Sequence, residues 1–115
     1  MTILNDYDSF LGRHWETGSL HNALAYQSAG DLKRAIPLYE TTVAQSEQAL
    51  GDTHPNTLTS RNNLAYAYLA AGDLGQAIPL LEATLAQCEQ VLGDTHPNTL
   101  STRNNLAGSP ANEGL

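Results

Sequence analysis

A stretch of 16 residues occurs twice in this chain, 42 positions apart. LGDTHPNTLTSRNNLA spans residues 50–65, and LGDTHPNTLSTRNNLA spans residues 92–107, with only two Ser/Thr exchanges. The segments between these copies are also similar, since residues 29–51 match residues 71–93. A fixed period of this size is typical of stacked-repeat proteins, in which each unit buries its apolar face against its neighbours. Such repetition favours a scaffold over an enzyme, because a catalytic site rarely needs the same residues twice.

Apolar residues within the repeat have helical spacing. The second half of one unit carries a continuous apolar stripe formed by Leu74, Ala77, Ile78, Leu81, Leu85, Cys88 and Leu92. Asp31 and Asp73 are predicted to be helix N-caps, and Asn56 or Thr57 is predicted to cap the helix that starts at Pro55. These patterns predict an all-α fold of paired helices.

The composition narrows the classes of partner. Twelve acidic and five basic residues give a formal net charge of −7, whereas nucleic-acid binding requires a basic surface. The same charge disfavours anionic membranes, and no apolar run is long enough to span a bilayer. The amino terminus is acidic where a secretory signal is basic. We therefore expect a cytoplasmic protein that binds neither nucleic acid nor membrane.

The period divides the chain into units. We expect a half helix from a preceding repeat in residues 1–12, complete units in residues 13–51 and 52–93, the first helix of a third unit in residues 94–107, and a disordered tail in residues 108–115. Because the pattern begins and ends within a unit, we expect the chain to be a fragment or a small relative of a longer array.

The first complete unit has lost two residues inside its first helix. The displacement from the next unit is 40 residues between His14 and Tyr26 but 42 residues from Ala29 onward. Removing two residues rotates one half of a helix by about 200° relative to the other half. The two halves therefore cannot both present the same faces as the equivalent helix of the next unit. We expect the register set by Gly30 to prevail, which would place Leu20 and Leu24 where Asn62 and Tyr66 lie in the next unit.

The order of small residue, tyrosine, Gly-Asp and alanine resembles the tetratricopeptide repeat. It occurs in the two units as Ala23, Tyr26, Gly30-Asp31 and Ala35, and as Ala65, Tyr68, Gly72-Asp73 and Ala77. The 42-residue period, the NNLA sequence and the LGxxHP junction are similar to the kinesin-light-chain-like type. The resemblance implies a solenoid of stacked antiparallel helix pairs forming a right-handed superhelix. Its expected function is a non-enzymatic scaffold that presents a concave groove to a peptide or protein partner and needs no cofactor.

The resemblance also implies which residues line the groove. Asn62 and Asn104 are similar to an asparagine that clamps a bound peptide backbone in kinesin light chains, and an amide can donate to and accept from a peptide unit. Tyr66 and Leu69 would add apolar contacts. Each of these asparagines is followed by another, Asn63 or Asn105. The alternative is that the asparagines hydrogen-bond the preceding loop, and this alternative is favoured for Asn63 and Asn105.

The arginines and histidines of the repeats could have a binding role or a structural one. Arg61 and Arg103 would give an acidic peptide a local positive surface, or they would form salt bridges to a neighbouring unit, which is favoured in so acidic a chain. His54 and His96 lie in turns before proline and lack metal-ligand spacing, so no metal site is predicted. An enzyme would require a site assembled across subunits.

Apolar faces at the two ends predict self-association, the alternative function. An uncovered terminal helix exposes an apolar face to water. The residues expected to be exposed are Ile3, Leu4, Tyr7, Leu11, Leu20, Leu24, Leu100 and Leu106. We expect a homodimer about a two-fold axis, because closed symmetry is the commonest arrangement.

Overall fold

The computed structural model describes residues 16–108, with side chains from residue 22 onward. Its helices are α1 (Glu16–Ser28), α2 (Leu32–Leu50), α3 (Pro55–Ala70), α4 (Leu74–Leu92) and α5 (Pro97–Ala107). Each helix packs against the next, and α3 also contacts α5. The all-α solenoid predicted from the repeat is confirmed. The half helix predicted for residues 1–12 and all of the predicted tail except Gly108 lie outside the described residues.

The turn between paired helices depends on a glycine followed by an aspartate. Gly30 and Gly72 have φ angles of 82° and 81°, a region that side chains with a Cβ atom rarely adopt. The carboxylates of Asp31 and Asp73 each accept a hydrogen bond at 3.3 Å from the backbone N–H three residues later. Both predicted N-caps are therefore confirmed, and they start α2 and α4.

The cap of α3 differs from the prediction that Asn56 or Thr57 would provide it. His54 is the N-cap, and its Nδ1 accepts a hydrogen bond from the Asn56 backbone N–H at 3.0 Å. The residue before Pro55 is held in extended conformation, which is also the conformation of an N-cap, so the cap falls before the proline. His96 makes the same bond at 3.0 Å for α5. Thr57 is fully buried and donates instead to a backbone carbonyl of α2 at 3.2 Å.

Small residues allow the helices to pack closely. The main core cluster consists of Ala23, Ala35, Tyr39, Val43, Leu64, Ala67, Tyr68 and Ala77. Ala65 and Ala77 are both fully buried, as expected for residues at helix crossings. Cys88 is also fully buried, and this burial raises the pKa of its thiol.

The register of α1 follows the turn at Gly30, as predicted. Ala23 and its equivalent Ala65 are both fully buried, while Leu24 and its equivalent Tyr66 are 46% and 47% exposed. The two-residue deletion is therefore absorbed before Ala23. This register brings Leu24 onto the same face of the solenoid as Tyr66.

Candidate functional site

The first helices of the three units, α1, α3 and α5, border a groove with a volume of about 500 Å³. We call it the concave groove. Its lining is uncharged and consists of Leu24, Gln27, Ser28, Tyr39, Asn62, Asn63, Tyr66, Ser101 and Asn105. Amide groups dominate its polar surface, and two half-exposed apolar side chains accompany them.

Hydrogen bonds between amides and hydroxyls close the groove between α3 and α5. Asn62 donates from Nδ2 to Ser101 Oγ at 3.0 Å, and its Oδ1 accepts from Asn105 Nδ2, also at 3.0 Å. Asn62 is consequently only 8% exposed. A third bond, at 2.7 Å, joins the same helices, from Asn98 Nδ2 to Thr59 Oγ1. Asn62 therefore links two units, whereas the sequence alternatives were a bond to the preceding loop or to a ligand.

The groove is open between α1 and α3. The Asn63 amide makes no hydrogen bond within the described part of the chain, although its equivalent Asn105 bonds Asn62. The acceptor Asn62 lies 43 residues before the donor Asn105. The residue 43 positions before Asn63 is Leu20. We call the side-chain hydrogen bonds between asparagines of successive first helices the amide ladder. A leucine side chain has no hydrogen-bonding atom, so the step of this ladder between α1 and α3 cannot form. The Asn63 amide is left for another partner.

The floor of the open part is a buried tyrosine. Tyr39 is 1% exposed, and its hydroxyl donates to Gln27 Oε1. Burial raises the pKa of Tyr39. This bond engages the Gln27 side-chain oxygen, and the Gln27 Nε2 group makes no hydrogen bond to any described residue.

Both predicted arginines are engaged in contacts between helices, outside the groove lining. Arg61 contacts Glu47 Oε2 through Nη2 at 2.8 Å and through Nε at 3.1 Å, and its Nη1 donates to Gln87 Oε1 at 2.6 Å. Its side chain is only 11% exposed. Arg103 contacts Glu89 at 3.0 Å. This is the salt-bridge arrangement that the sequence analysis favoured over a positive surface for an acidic peptide.

Only some of the other predicted groove residues lie in the groove lining. Tyr66 joins Asn62 in the lining, while Leu69 is half-buried and packs against the core. Asn104 is exposed outside the lining, and its side chain makes no hydrogen bond to any described residue. Sequence reasoning missed the groove roles of Asn63 and Asn105. The recurring asparagine pairs were the only sequence signal, and they do not show which unit each side chain contacts.

The predicted self-association residues are also distributed over several regions. Ile3, Leu4, Tyr7 and Leu11, together with the Leu20 side chain, lie outside what the structure describes, and Leu24 lies in the concave groove. Leu100 on α5 is 43% exposed, although its equivalent Leu58 on α3 is fully buried. Leu106 is half-buried. Of the predicted residues, the structure thus describes the side chains of Leu24, Leu100 and Leu106.

Clustered metal ligands and long apolar helices are absent from the part of the chain that the structure describes. Among the side chains described from residue 22 to residue 108, no group of three His, Cys, Asp or Glu is close enough to hold a metal ion. None of the described helices is both long and apolar enough to cross a membrane.

The repeat signature and fold agree with comparisons to known proteins. A family model described as the tetratricopeptide repeat matches residues 16–86 and 61–109. The chain belongs to the tetratricopeptide repeat family. A comparison with curated proteins finds no match.

A crystal structure supports the kinesin-light-chain-like type. It contains a protein from Podosopora anserina, described as a kinesin light chain with nearly identical TPR-like repeats, and superimposes with a TM-score of 0.72 at 33% sequence identity. The match covers 85% of this chain and 46% of the solved one. This chain therefore spans about half the length of that protein. Tetratricopeptide repeats are in general protein–protein interaction modules.

Proposed function

We propose that this repeat is a non-catalytic scaffold that binds an extended segment of a partner protein in the concave groove, between α1 and α3. The observation that carries the proposal is the unpaired Asn63 amide beside half-exposed Leu24 and Tyr66. Exposed apolar side chains next to free polar groups are typical of binding sites, where they supply contact area and orientation respectively. A cytoplasmic location stays a prediction from the sequence.

An extended peptide satisfies the groove chemically. Each peptide unit offers one N–H and one C=O, and the Asn63 amide presents the complementary acceptor and donor. The Gln27 side-chain N–H groups, which make no hydrogen bond to any described residue, add donors on α1. Leu24 and Tyr66 occupy equivalent positions on α1 and α3 and would contact a side chain of the bound segment. The proposed site therefore replaces Asn62 and Asn104, the sequence-predicted clamp, with Asn63 and Gln27.

The test begins with a displayed library of random peptides of about ten residues, which extend to about 33 Å. Peptides enriched on the immobilised wild type are synthesised and titrated by calorimetry against Asn63→Ala and against Asn104→Ala as the matched control. Loss of one hydrogen bond should weaken binding to Asn63→Ala about twofold to tenfold, with no change for Asn104→Ala. Equal affinities for both variants, or no enrichment at all, would contradict the proposal.

Self-association is the second candidate, and the exposure of Leu100 favours it. The equivalent Leu58 is fully buried in the preceding unit, so the same helix face is covered there and uncovered on α5. Covering the exposed 43% of this side chain is worth about 1 kcal/mol before the costs of association. A homodimer through this face predicts that Leu100→Glu lowers the molar mass in sedimentation equilibrium. Ala44→Glu, an exposed position on α2, is the charge-matched control, and a wild type that is monomeric at all concentrations would exclude this candidate.

A further inference from the structure

The concave groove is uncharged although the chain carries a net charge of −7. All of its described lining residues are neutral, and the two arginines that the sequence suggested for a positive surface lie outside this lining. Arg61 is held by Glu47 and Gln87, and Arg103 is held by Glu89. The charge of the protein is therefore concentrated outside the surface that we propose to contact a partner.

A neutral groove penalises charged side chains in a bound segment. A carboxylate or an ammonium group that loses water there finds no opposite charge among the described lining residues, and desolvation without compensation is costly. An acidic segment is also repelled by the net charge of the whole chain. A basic segment is attracted at long range, but it gains no ion pair when it enters the groove. Both signs of charge are thus disfavoured at the contact itself.

The same lining favours neutral residues. Amides and hydroxyls exchange hydrogen bonds with peptide groups and with uncharged polar side chains at little cost in desolvation. The half-exposed surfaces of Leu24 and Tyr66 gain from contact with an apolar side chain.

We infer that the concave groove selects an uncharged segment of its protein partner, with an apolar side chain placed against Leu24 and Tyr66. This inference rests on the proposed function and specifies the chemistry of its ligand. It excludes the acidic peptide that Arg61 and Arg103 suggested in the sequence. Because no ion pair forms, the affinity depends little on salt.

The inference is tested with the same random peptide library by comparing charge before and after selection on the wild type. Enriched peptides should be depleted of Asp, Glu, Lys and Arg at their central positions. The Kd of an enriched synthetic peptide should change less than about twofold between about 50 and about 500 mM NaCl, since only charge pairs are screened by salt. Asn63→Lys introduces a cation into the groove. The peptides enriched on this variant should therefore be more acidic than those enriched on the wild type. Gln48→Lys, at an exposed position on α2 outside the lining, should select the same peptides as the wild type.

The possible outcomes separate this inference from the proposed function. Enrichment of acidic or basic peptides on the wild type, lost in Asn63→Ala, would overturn the uncharged ligand while retaining the peptide site. A tenfold or larger fall in affinity at high salt would overturn it in the same way. Absence of any enrichment on the wild type would overturn both the site and its ligand chemistry.

Discussion

Asn62 and Asn104 provide a matched test of how a repeat position acquires its role. They are the same residue at equivalent places, 42 positions apart, on α3 and α5. Asn62 is 8% exposed and joins Ser101 and Asn105 through two hydrogen bonds of 3.0 Å. Asn104 is exposed and makes no side-chain hydrogen bond within the described residues. Replacement by alanine should therefore destabilise the fold only at position 62.

The magnitude follows from the two lost bonds. Each hydrogen bond contributes about 0.5–1.5 kcal/mol net, so Asn62→Ala loses about 1–3 kcal/mol. Alanine is a better helix former than asparagine by up to about 0.7 kcal/mol, but this gain applies to both variants. The difference between the two variants therefore isolates the contacts of Asn62. Asn104→Ala should lie within about 0.5 kcal/mol of the wild type, or slightly above it.

Urea unfolding followed by circular dichroism at 222 nm measures this difference. Comparable slopes of the unfolding free energy against urea would show that the variants expose the same surface, so that the midpoints can be compared directly. A loss of 1 kcal/mol corresponds to a fall of about 4–8 °C in Tm for a domain of this size class. Equal stability of the two variants would refute the argument that the amide ladder holds α5 on α3.

Two further predictions concern other contacts between helices. Arg61→Ala should lower the free energy of unfolding by about 1–3 kcal/mol, because the Arg61 side chain is 11% exposed and joins α2 to α4. Arg103→Ala should lower it by less than about 1 kcal/mol, because the Arg103 ion pair is more exposed. Equal urea midpoints for the two variants would contradict this prediction. Burial and the hydrogen bond to Glu40 raise the pKa of Tyr68 to about 12, so its contribution to stability is present below pH 10 and is lost as the pH rises through about 12. Tyr68→Phe should therefore lose less stability than the wild type between pH 9 and 12 in urea titrations, and an identical alkaline decline would argue against this role.

The fold was predictable because its determinants are local and repeated. Gly30 and Gly72 mark the turns, Asp31 and Asp73 cap the following helices, and Ala65 marks a close helix crossing. Each of these features depends on a residue type whose conformational or packing properties hold in many contexts. Consistent signals in successive units reinforce one another. The wrong cap of α3 shows the limit, since a histidine is not among the usual N-cap residues and only its position before Pro55 indicates the role.

The roles of individual polar residues were less predictable, because they depend on neighbours in another unit. The sequence does not show that Arg61 reaches both Glu47 and Gln87, which lie 14 residues before it and 26 after it. It also does not show that Asn62 bonds forward, to α5, instead of backward, to the loop. Such contacts depend on the stacking angle between units, which no local pattern encodes.

Near-identical repeats need not produce identical sites, and Leu20 illustrates the reason. In the α3–α5 step, the amide of Asn105 is satisfied by Asn62, so the first helices are joined by side chains. In the α1–α3 step, the equivalent acceptor is replaced by a leucine, so Asn63 has no partner in the ladder. One substitution in the earlier unit thus changes the function available to an unchanged asparagine in the next. On this reasoning, Leu20→Asn should extend the ladder, stabilise the stack and weaken peptide binding in the concave groove, whereas improved peptide binding in that variant would show that Asn63 does not bind the partner.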